Sequence, residues 1–191
     1  MTTAKDLFII AMDRGVGQGA LSLALAGAEL IDLIDAGAVT VDDDRIVPGG
    51  AAVDDRLLGR AAAELTSREG IDDWLWRRGR DLSAAYQAAL EADGELTRKR
   101  SGLLPFGAER VELVDTPARS RANDRWEERE PVLTALASAV GMDGGSGDEP
   151  DLDEAVTTVV AAVHDAIMEL EAVRQRRTIE NTAFANIWRG P

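Results

Sequence analysis

Leu21-Ser-Leu-Ala-Leu-Ala-Gly-Ala-Glu-Leu-Ile-Asp-Leu-Ile-Asp-Ala36, followed by Gly37 and Ala38-Val39-Thr40-Val41, is the stretch that decides the fold. On a helix, Leu21, Leu23, Leu25, Leu30, Ile31, Leu33 and Ile34 surround the axis, and only Glu29, Asp32 and Asp35 form a thin charged stripe. A helix that is apolar nearly all round is buried, so the remaining helices are expected to pack about this one. Gly37 fits the left-handed position that commonly ends a helix, and the alternation after it suits a short strand.

Working outward toward the amino end, Leu7, Phe8, Ile9, Ile10 and Met12 form a compact apolar run that predicts a short helix, broken by Gly15-Val-Gly-Gln-Gly19. On the other side, Thr40 to Val47 alternates around Asp42-Asp43-Asp44 and predicts a hairpin with an Asp-rich turn. Leu57, Leu58, Ala61 and Leu65 then recur at helical spacing up to Gly70. Asp72 to Arg78 predicts a short helix interrupted at Gly79, and Leu82, Tyr86, Ala89 and Leu90 continue the stripe to Gly94. Leu96 to Arg100, Leu103 to Phe106 and Val111 to Val114 are strand-like, which gives a hairpin with a basic root. Thr116-Pro117 is a helix start, that helix runs to Glu130, and Pro131 begins another that ends at Gly141. Residues 141–151 have the composition of a flexible loop. Beyond them Val156, Val160, Val163, Ile167, Leu170 and Val173 make one docking stripe that fades at Arg174-Gln175-Arg176-Arg177. Leu33 to Thr40 and Leu90 to Thr97 echo each other as helix, glycine, apolar residue and threonine.

A chain of 191 residues with 45% hydrophobic content suits one domain, and 4% aromatic residues point to an aliphatic, alanine-rich packing that is mainly α. No cysteine is present, so disulfide and thiolate chemistry are excluded. The start of the chain has no signal-peptide pattern, no apolar run reaches a membrane span, and the cytoplasm is the expected location. A formal charge of −14 argues against nucleic acid as a partner, because binding phosphates begins by neutralising them. Arg77 to Arg125 differs from the rest, with ten basic residues against eight acidic ones. One region can therefore meet an anion while the remainder repels it.

Catalytic patterns are absent: there is no nucleophile elbow, phosphate-binding loop or zinc-protease motif, and His164 is the one histidine. Neither an enzyme nor a cofactor is expected. Asp42-Asp43-Asp44 lacks the spacing of a calcium loop and suits a hydrated turn. Trp76-Arg77-Arg78-Gly79-Arg80 is the sharpest candidate, since guanidinium forks suit phosphate and an indole suits a membrane interface. Ion pairing with the many carboxylates of the chain is the competing reading. Arg98-Lys99-Arg100 and Arg119, Arg121 and Arg125 are candidates to extend the patch.

These residues resemble the Golgi phosphoprotein 3 family, through Asp6-Leu-Phe-Ile-Ile-Ala-Met-Asp13, Leu23-Ala-Leu-Ala-Gly-Ala-Glu-Leu-Ile-Asp-Leu33 with Gly37, and Gly94-Glu-Leu-Thr97. Leu103-Leu-Pro-Phe106, Val111-Glu-Leu-Val-Asp115, Trp126 and the restart at Pro131 extend the likeness over nearly the whole chain. The resemblance implies a single mainly α domain over residues 1–191, with amphipathic helices around a central hydrophobic helix and a protruding β-hairpin. It also implies a non-enzymatic peripheral protein that binds phosphatidylinositol 4-phosphate or a similar anionic phospholipid headgroup on the cytoplasmic membrane face. A membrane-protein client, and a homo-oligomer through the Leu103 to Val114 hairpin, follow from the same likeness.

Carried over by position, Arg80 matches the first of the family's two helix arginines, and the second falls at Ser83. The family's Trp and Arg before the central helix fall in Gly15 to Leu21 and near Ala26, with Arg14 the nearest cation. The expected lipid-binding set is therefore Trp76, Arg77, Arg78, Arg80 and Arg14. The alternatives are a winged-helix-like regulatory or nucleic-acid module built on the two echoed units, or a scaffold that binds protein only.

Overall fold

The computed structural model describes residues 2–100, 109–142 and 151–187. Most of the expected 141–151 loop, and the hairpin segment 101–108, lie outside the described residues. The described chain is mainly α, with eight helices and five short strands.

The apolar stretch forms helix α2 (Gln18–Asp35), and every residue from Ala20 to Ile31 is buried. Six helices pack on it: α1 (Thr3–Met12), α3 (Arg56–Glu64), α4 (Ile71–Arg78), α5 (Leu82–Ala92), α7 (Pro131–Ala139) and α8 (Glu154–Ile187). Helix α6 (Pro117–Glu127) reaches the core through α1 and α7. Of the charged stripe of α2 only Asp35 is exposed. Asp32 accepts bonds from the Thr3 and Ala4 amides at 2.9 and 3.2 Å, which satisfies orphan donors of the first turn of α1, and Glu29 is wholly buried.

Closeness between α2 and α8 depends on Gly27, where an added methyl would strike the buried side chain of Val163. Alanine-rich helices approach in this way because little lies between the backbones. Starts follow the expected chemistry: Asp55 accepts from the Leu57 and Leu58 amides, and Thr116 accepts from Arg119 with Pro117 at the first helical position.

The two echoed units have the same stop. Gly37 and Gly94 have φ of +68° and +77°, Ala38 donates to Leu33 O, and Glu95 donates to Leu90 O. Each leads into an antiparallel pair, β1 (Val39–Asp42) with β2 (Arg45–Pro48), and β4 (Leu96–Arg100) with β5 (Glu109–Leu113).

Helix α3 stops at Glu64, short of the expected Gly70, and Glu69–Gly70 forms β3 against the open edge of β2. Leu65 still turns into the core, but Arg68 and Glu69, the next positions of the helical stripe, offer nothing apolar to bury, and the chain extends. Strand β5 begins at Glu109, two residues before the strand-like run expected from Val111.

Candidate functional site

Helix α4 lies antiparallel to α2. Trp74 donates its indole N–H to Ala26 O at 3.1 Å, and Gly79, after the last turn of α4, sits against Ser22 O and Leu23. The Trp76 to Arg80 segment is thereby carried to the amino-terminal end of the central helix. Added bulk at Gly79 would lie 2.5 Å from Leu75 O and 3.3 Å from Ser22 O, so this junction needs glycine.

The four basic or aromatic candidates of this segment have different surroundings. Arg78 is 11% exposed and grips Glu29 with two bonds, Nε to Oε2 at 2.7 Å and Nη2 to Oε1 at 3.0 Å, while Nη1 reaches Glu64 at 2.9 Å. Tyr86 donates its hydroxyl to the same Glu29 carboxylate at 3.0 Å. Burial pushes the Glu29 carboxyl above its usual range, and Arg78 and Tyr86 partly offset this. Arg77 bonds Glu69 and Glu64 and lies 5.1 Å from the Trp74 ring centre. Both guanidinium groups are therefore joined to carboxylates. Arg80, by contrast, is exposed and makes no ion pair among the described residues, and Trp76 keeps 39% of its surface open.

Arg14 stands in the connection before α2, but its guanidinium folds back, donating to Ile10 O at 2.7 Å and lying 4.9 Å from the centre of Trp126. It borders the same end from the α6 side. Arg119, Arg125, Arg98 and Lys99 are paired with Asp13, Asp6, Glu91 and Glu112 respectively. Arg121 and Arg125 line a cleft of about 750 Å³ with Asp6, Asp32 and Asp35 at the opposite end of α2. They do not extend the Arg80 patch.

One contributor escaped the sequence reading. Helix α8 also runs antiparallel to α2, and its Arg174 guanidinium covers Gly17 and Gly19, where a methyl on Gly17 would stand 3.7 Å from Nη1. Gly17 is the N-cap of α2 and provides no side-chain cap. A cation beside the positive end of a helix is unfavourable until an anion stands between them. The signal is the basic run Arg174 to Arg177 in a very acidic chain, where the docking stripe of the helix also fades. At the position of the family's second arginine, Ser83 is buried, with its amide and hydroxyl both 3.0 Å from Ser22 Oγ. That space is closed by a hydrogen bond.

Among the described residues no group of His, Asp and Glu is arranged to hold a metal, and no helix is long and apolar enough to cross a membrane. His164 is exposed.

The sequence model described as Golgi phosphoprotein 3 (GPP34) matches residues 4–180, nearly the whole chain. The chain is also similar to a protein named catalase HPII from Mycobacterium avium, with 30% identity over 139 residues, covering 71% of this chain and 19% of that protein. It thus spans about a fifth of that curated relative's length.

Proposed function

The chain belongs to the Golgi phosphoprotein 3 family, and we propose that it is a non-enzymatic peripheral membrane protein that meets anionic phospholipid headgroups at the amino-terminal end of α2. Arg80 and Arg174 bind the phosphate through their guanidinium forks, Trp76 settles at the interface, and Arg14 adds charge from the α6 side. Arg77 and Arg78 serve as the frame that holds the segment. The observation that supports this reading is the Arg174 guanidinium over Gly17 and Gly19 at the first turn of α2, with Gly79, next to Arg80 in the chain, against Ser22 and Leu23, and neither arginine in an ion pair among the described residues.

The face bound is the cytoplasmic one, and the hairpin that includes β4 and β5 joins copies of the chain, so that weak single contacts add by avidity. A membrane-protein client held at that surface completes the reading.

Flotation of the full chain with vesicles tests the site. Neutral phosphatidylcholine vesicles are expected to leave the protein in solution, and vesicles containing phosphatidylinositol 4-phosphate or phosphatidylserine to carry it upward in a salt-sensitive manner. Trp76→Ala combined with Arg80→Glu is expected to weaken that binding by about tenfold or more. Equal binding by this variant refutes the site, and no binding by the wild type refutes the function.

A further inference from the structure

The carboxyl-terminal end of α2 carries charge that opposes its dipole. A helix ends in a partial negative charge that cations relieve, yet the last turn of α2 holds Asp32 and Asp35 and no basic residue. Asp32 is spoken for, because it accepts from the Thr3 and Ala4 amides at the start of α1. Asp35 opens to solvent, and partial burial together with the neighbouring carboxylates of Asp153 and Glu130 raises its carboxyl.

This end lines the cleft of about 750 Å³, a volume within the range of small-molecule sites. Asp6 lies in the same lining and is 1% exposed; its Oδ2 accepts from Arg125, and its Oδ1 has no hydrogen-bond partner among the described residues. A buried carboxylate oxygen without a donor is costly to keep, so a donor is missing there. Arg125 is already held by Asp6 and Glu130. Asp6, Asp32, Asp35, Glu130 and Asp153 thus stand about this end against Arg121, Arg125 and the α-amino group, and the balance is negative.

What fits such a place is a cation that donates hydrogen bonds. No group of His, Asp and Glu among the described residues is arranged to hold a metal, whereas an alkylammonium brings three N–H donors and needs no fixed coordination shell. Leu58 and Ala36 provide apolar lining for a methylene chain. We propose that the cleft binds a small aliphatic diamine, with its ammonium groups held by Asp35 and by the unpaired oxygen of Asp6 and its methylenes against Leu58. The site lies at the other end of α2 from the headgroup contact and does not depend on it.

The test is isothermal titration of the full chain with 1,5-diaminopentane, without vesicles, in about 0.15 M salt to screen general attraction to an acidic protein. Saturable binding of one molecule per chain is expected. Asp35→Asn, which removes one charge-assisted bond at an exposed position, should weaken it about tenfold, and Asp35→Lys, which places an ammonium there, should abolish it while the thermal midpoint stays at or above that of wild type. Glu169→Gln/Glu171→Gln removes exposed charge from α8 beside Leu170, which lies over Gly19 at the opposite end of α2, and should bind as wild type does. No saturable binding by the wild type overturns the proposal. So does unchanged binding by Asp35→Asn, or an equal loss in the α8 variant, which would show attraction to the net charge alone.

Discussion

Replacing Arg78 by Met separates a structural arginine from a lipid-binding one. Arg78 makes two bonds to a Glu29 carboxylate that is 0% exposed and supplies its opposite charge, while Tyr86 donates one further hydrogen bond to it. Removing one partner of such a buried pair leaves an uncompensated charge, at a cost of about 3–5 kcal/mol. A domain of this size has about 5–15 kcal/mol in total and loses about 2–4 °C of melting temperature per kcal/mol, so the midpoint should fall by about 6–20 °C. The loss should depend on pH with a defined sign. Burial already raises the Glu29 carboxyl above its ordinary 4.5, and without Arg78 it rises further. Acidification then protonates Glu29, and the destabilisation is smaller at pH 5 than at pH 8. Glu29→Gln with Arg78→Met should recover most of the loss, since neither charge remains. Differential scanning calorimetry across pH measures all of this. If Arg78→Met melts within about 2 °C of wild type yet loses vesicle binding, Arg78 is a headgroup ligand and the reasoning is wrong.

Gly27→Ala should cost about 1–3 kcal/mol in urea unfolding, because the new methyl meets the stiff Val163 side chain, and Val163→Ala in the same chain should restore part of it. Strictly additive losses would show that Gly27 and Val163 are not in contact. Burial raises the carboxyls of Asp6, Glu29 and Asp32, so the folded state holds their protons more tightly than the unfolded chain, and their contribution to stability grows as pH falls through the raised values toward 3.8–4.5. Asp55, where the Lys5 and backbone bonds outweigh burial, acts with the opposite sign only below about 3.8. Melting temperatures should therefore rise from pH 8 to pH 5, and a steady fall over that range contradicts the assignment. Gly37→Ala and Gly94→Ala should each cost about 1–2 kcal/mol from positive φ, whereas Gly50→Ala, in open space, should be nearly neutral by the same unfolding assay.

The fold was legible wherever one periodicity acted alone. Leu21 to Ala36 is apolar around its whole circumference and can only be central, and Gly37 and Gly94 mark stops that side chains with a Cβ adopt poorly. The end of α3 was not, because Leu65 fits a helical stripe and a turn into the core equally well, and the choice lay with the edge of β2, which is remote in sequence. The site was legible in part. Sequence spacing placed Trp76, Arg77, Arg78 and Arg80 together without saying which arginine would find a carboxylate, since Glu29 and Glu64 reach Arg78 across 49 and 14 positions. Arg174 was invisible for the same reason, as its neighbour Gly19 lies on another helix far back in the chain.

The central claim is that the amino-terminal end of α2 faces the membrane. Because the chain has no cysteine, Gln18→Cys at that end and Thr40→Cys at the other, both exposed, can each carry a single environment-sensitive dye. On adding phosphatidylserine vesicles, the account predicts a blue-shifted, brightened emission at position 18 and none at position 40. A shift at position 40 with position 18 unchanged would contradict it.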